Sequence, residues 1–137
     1  MRKIFLFILI VSVFGCKKKN GTSKSLNQNY DTENATLLFR ANFVSNAHPT
    51  TGCVSVYELN GTKSLVFEGF KTDSGPDLKV YLSKSTSNSN IVDLGALKSL
   101  SGNFNYTLDN SVNLGEYKHV LIWCEDFSVL FGNGVLQ

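Results

Sequence analysis

The chain has three cysteines and two histidines, and these are the side chains able to do redox or metal chemistry. Cys124 lies in HVLIWCEDFSVLFG (119–132), the most apolar run outside the N-terminus, and two acids follow it directly. A buried strand does not need a thiol, so three readings stand. Cys124 fills a gap as a small hydrophobe, forms half of a disulfide, or carries chemistry. In a straight strand Val120, Ile122 and Cys124 share one face, and Leu121 and Trp123 share the other. That pattern suits packing, whereas Glu125 and Asp126 put the thiol at the strand's end, where solvent is expected to reach it.

His48 and Cys53 are five residues apart, as are His119 and Cys124. An odd separation along a strand sends two side chains to opposite faces, so neither pair is expected to share a metal. No C-x-x-C, C-x-x-C-H or H-E-x-x-H occurs, and the only methionine is Met1, so no metal site is expected. G-x-S-x-G and phosphate-cradling glycine loops are also absent, which sets a hydrolase behind a binding or redox module. In FEGFKTDSGPDLKVYL (67–82), Asp73, Ser74, Gly75 and Pro76 form a turn signal, and Asp77 either caps that turn or contributes to a pocket.

MRKIFLFILIVSVFGC has a positive start, a short apolar run and a small residue before cysteine. The run is well short of the roughly 20 apolar residues of a spanning helix. It reads as an export signal over 1–15 whose VFGC end resembles a bacterial lipobox, with Phe14 as a departure from that pattern. Cys16 is then the lipidated residue, and the membrane is the expected partner through that anchor. The domain is expected outside the cytoplasm, anchored in the cell envelope, with the outer membrane favoured by Lys17 after Cys16. An oxidising compartment also makes a Cys53–Cys124 disulfide a candidate. Of the 13 basic and 11 acidic residues, all 11 acids but only seven bases fall in 31–137, giving 7 − 11 = −4 there. Nucleic acid is therefore not an expected partner.

The elements that must position these residues read almost entirely as strands. Residues 16–35 are expected to be a flexible polar tether, and 36–137 a single domain. Runs at 35–44, 53–59, 63–70, 77–83, 104–109, 118–124 and 127–132 are β-branched and aromatic, with turn residues between them. Asn60-Gly61 is a hairpin signal, and only DLGALKSL (93–100) looks helical, for two turns at most. The expected fold is all-β, an antiparallel sandwich of about seven to eight short strands.

The segments NF-x-x-NAHPTTG-x-V (42–54), FEGFKTDSGPDLKVYLS (67–83), SGNFNYTLD (101–109) and YKHVLIWCEDFSVLFG (117–132) together resemble the DM-thirteen domain, a DOMON-associated electron-transfer domain also found in bacterial lipoproteins. The resemblance implies a β-sandwich and matches Cys124 to the family's recurring I-W-C cysteine. It implies an electron-transfer role for that thiol, bare or holding a prosthetic group such as haem. Trp123, Asp77 and His48, each inside one of these segments, are candidate lining residues. Cys53 falls where no family cysteine is expected, which argues against a shared disulfide mechanism. The alternative is a non-catalytic binding or structural surface lipoprotein with Cys124 as core packing.

Overall fold

The computed structural model describes residues 25–137. The signal segment, Cys16 and the lysines at 17–19 lie outside the described residues. Ten strands follow in chain order: β1 (Leu26–Asn27), β2 (Thr36–Asn42), β3 (Val44–Ser45), β4 (Thr50–Leu59), β5 (Thr62–Thr72), β6 (Leu78–Ser83), β7 (Val92–Ala96), β8 (Ser101–Thr107), β9 (His119–Cys124) and β10 (Val129–Val135). One sheet runs β1-β8-β5-β4-β2 and the other β3-β10-β9-β6-β7. Every pairing is antiparallel except that of β1 with β8. The expected all-β sandwich is therefore the observed fold.

Alternation explains the layers. Val54 and Val56 of β4, Leu65 and Phe67 of β5, Val80 and Leu82 of β6, and Val120 and Ile122 of β9 are completely buried between the sheets. Phe43, Phe67, Phe70, Phe104 and Tyr106 pack as one aromatic cluster with neighbouring rings 4.7–6.2 Å apart. Burying each such ring contributes about 2–3 kcal/mol. Asn60 and Gly61 both take positive φ, 51° and 79°, which is the twist that a two-residue hairpin between β4 and β5 requires.

Three sequence expectations change. The run at 35–44 is not one strand. The chain leaves the first sheet at buried Phe43, whose N–H donates to Gly52 O, and enters the second sheet as β3. The segment 93–100 is not helical. Val92 and Leu94 follow a two-residue period onto the core, and β7 pairs with the edge of β6. The polar stretch before residue 36 is docked from Leu26 onward. Leu26 packs on the core, Gln28 N–H donates to Asn103 O, and the Tyr30 ring covers that of Tyr57 at 5.7 Å. Side-chain amides make this docking specific: Asn103 Nδ2 donates to Asn27 Oδ1 at 2.9 Å.

The two sheets are also joined along one side. Arg40 N–H donates to Gln137 O and Gln137 N–H to Arg40 O, at 3.1 and 3.0 Å, so the chain end closes onto β2. The registers Thr50↔Thr72, Lys71↔Ser101 and Leu78↔Cys124 gather the loops 46–49, 73–77, 97–100 and 125–128 at one end of the sandwich. We call this the loop end.

Candidate functional site

Cys124 is the last residue of β9, and its side chain points between the sheets with those of Val120 and Ile122. The expected solvent contact is not there: Cys124 is 0% exposed. The cause is the 73–77 turn, which folds across the end of β9. Cys124 Sγ–H donates to Pro76 O at 3.0 Å, and Glu125 N–H donates to Asp77 O at 3.1 Å. Proline has no N–H of its own to place here, and its carbonyl becomes the acceptor for the thiol.

The other side of that turn is open. Ser74, Gly75, Asp77 and Leu78 form one wall of a cleft of about 460 Å³, and Ala96 to Leu100 form the facing wall. The thiol thus lies behind the turn that makes the cleft wall. Buried Tyr106 holds the facing wall: its hydroxyl donates to Ala96 O and accepts from Lys98 N–H, both at 2.9 Å. Burial pushes the Tyr106 phenol up to about 12, partly offset by the Lys98 bond. Sequence reasoning passed over Tyr106; the signal was an inward tyrosine in FNYTLD, which needs a partner for its hydroxyl.

Asp77 belongs to the turn as expected. It takes a left-handed backbone, φ 52°, which aspartate tolerates, and its carboxylate pairs with Lys79 Nζ at 3.3 Å. His48 lies at the same end. Its ring stacks on Phe131 at 3.8 Å and its Nδ1 is 3.0 Å from Asp73 Oδ2. Phe131 in turn lies so close to Gly75 that a Cβ there would come within 2.7 Å of the ring. Trp123 is not brought to the cleft. It points to the outer face of the second sheet, where it packs with Tyr81 and Leu121, and its buried Nε1 has no partner among the described residues. On that face the Tyr81 hydroxyl donates to the Glu125 carboxylate, tying the 125–128 turn to β6; burial, then this bond, raises the Tyr81 phenol.

The candidate Cys53–Cys124 disulfide is not formed: both thiols are free. Cys53 belongs to β4 in the first sheet, where Arg40 Nη2 donates to its Sγ at 3.1 Å, while Cys124 belongs to the second sheet and points inward. His119 sits at the opposite end of β9 from Cys124. Both of its ring nitrogens are buried without a partner among the described residues, and burial, then Lys118, lowers its pKa below 6.5. Among the described residues no three His, Cys, Asp or Glu side chains come together as a metal site. The cleft walls contain neither His, Cys nor Met, so they do not offer haem iron one of its usual axial ligands.

A family model described as electron transfer DM13 matches residues 42–136 of the chain. That span contains His48, the 73–77 turn, both cleft walls and Cys124. No curated protein and no solved structure matches the chain.

Proposed function

Since the chain belongs to the electron transfer DM13 family, we propose that it is an electron-transfer module held outside the cytoplasm by a lipid on Cys16, with Cys124 as its redox group. The observation that carries the role of the thiol is its 3.0 Å bond to Pro76 O, inside the turn that walls the cleft. When that turn opens, the sulfur comes into reach from the cleft side. The chemistry then open to it is exchange with a partner's disulfide. The Cys124 proton goes to solvent, its thiolate forms the new S–S bond, and the partner's second sulfur leaves as a thiolate. VFGC at 13–16 supports lipidation of Cys16, and Lys17 supports the outer membrane.

The complete burial of Cys124 supports a second reading, a binding or structural surface module in which the sulfur is core packing. Thiol labelling of the native chain with Cys53 replaced by serine separates the two. In the redox reading Cys124 reacts with a small alkylating reagent through local opening, well below the denaturant midpoint, and forms a mixed disulfide with an aromatic disulfide probe. Labelling only in step with global unfolding would reject the thiol role and leave packing.

A further inference from the structure

Ser25, where the described residues start, and the cleft lie at the same end of the molecule. β1 runs parallel to β8 with Leu26 opposite Gly102, so the chain enters the sandwich from the Ser101 side, which is the loop end. The entry is built for this approach. Gly102 has φ +108°, and a Cβ there would come within 1.9 Å of Leu26 O, so no other residue lets the incoming backbone lie so close. Eight residues lie between Cys16 and Ser25, and the nine steps reach at most about 32 Å when fully extended. The body is longer than that: the 11 residues of β5 span about 37 Å from the loop end to the Asn60-Gly61 hairpin. A short lead attached at one end of a long body holds that end nearer to its anchor point.

We propose that the loop end faces the bilayer and that the lipid interface is what it meets, with Phe127 as the contact residue. Phe127 stands at the tip of the 125–128 turn, 67% exposed, the most exposed large apolar side chain among the described residues. An aromatic ring at a loop tip is suited to the head-group level of a membrane. Glu125 and Asp126 beside it make zwitterionic lipid the better surface than anionic lipid. The cleft between 74–78 and 96–100 then lies on the membrane side, so a membrane-resident carrier reaches it more readily than a soluble one. This inference rests on lipidation of Cys16.

The test uses the full acylated chain with Cys53→Ser and Cys124→Ala, so that the introduced cysteine alone takes the label, in phosphatidylcholine vesicles carrying head-group nitroxide lipid. A bimane label goes on Asp126→Cys in one sample and on Thr62→Cys, at the opposite end, in another. Quenching is expected to be at least about threefold stronger at 126, because the two ends are about 35 Å apart along the strands. A long Gly-Ser insertion before Ser25, which leaves the domain untouched, is expected to reduce that ratio, and Phe127→Ser to weaken what remains. Equal quenching at both sites, or more at 62, in a chain whose acylation is verified by mass spectrometry would overturn the orientation. A chain found without acyl groups on Cys16 would instead overturn the anchored reading and the orientation with it.

Discussion

The thiol of Cys124 and the carbonyl of Pro76, 48 residues apart in sequence, are joined by a 3.0 Å hydrogen bond. This bond ties the end of β9 to the turn forming one cleft wall, so packing of the core and shape of the candidate site depend on each other. Cys124→Ala removes the sulfur and leaves the Pro76 carbonyl without its donor. Urea unfolding is expected to show a loss of about 1–3 kcal/mol. If the thiol is the redox group, Cys124→Ala also abolishes mixed-disulfide formation in the Cys53→Ser background.

Gly102→Ala is expected to undock β1, because the clash falls on Leu26 and Ser25, while its φ of +108° adds local strain in β8. Hydrogen exchange reads this directly. The Gln28 amide, bonded to Asn103 O, should exchange at least about tenfold faster, while amides of β9 keep their protection.

Tyr106→Phe deletes the hydroxyl that bonds Ala96 O and Lys98 N–H. A cost of about 1–2 kcal/mol is expected, with faster amide exchange at Lys98. The phenol's rise to about 12 from 10.0 also carries a pH signature. The unfolded chain ionises this tyrosine first, so its stabilising share is complete below pH 10 and is lost as pH rises toward 12. The phenylalanine variant should lack that part of the alkaline slope.

His119 supplies the corresponding acid-side test. Its folded pKa lies below 6.5, so the unfolded chain binds the proton first. Its stabilising share is full above pH 6.5 and declines as pH falls below that value, until the folded pKa is reached. His119→Gln should flatten the stability slope in this window, read from denaturant midpoints at a series of pH values.

Much of this architecture was legible in the residues. The two-residue period placed Cys124 with Val120 and Ile122, and Trp123 on the reverse face, as the structure has them. The hairpin at Asn60-Gly61 followed from turn chemistry. What stayed hidden depends on contacts between distant segments. Glu125 and Asp126 are exposed as local reasoning suggests, yet the sulfur one residue earlier is sealed by a turn from β5–β6. The docking of 25–34 is carried by amide side chains such as Asn27 and Asn103, and polar composition alone does not distinguish such a segment from a free tether. β3 and β1, two residues each, are too short to leave a periodic signature.

The reciprocal bonds between Arg40 and Gln137 have a consequence for crowding. Bare sheet margins template strand exchange between neighbouring copies. By occupying Arg40 on the outer margin of β2, Gln137 removes part of the longest edge strand among the described residues from that reaction. Gln137 is thereby expected to act as a stopper against such strand exchange.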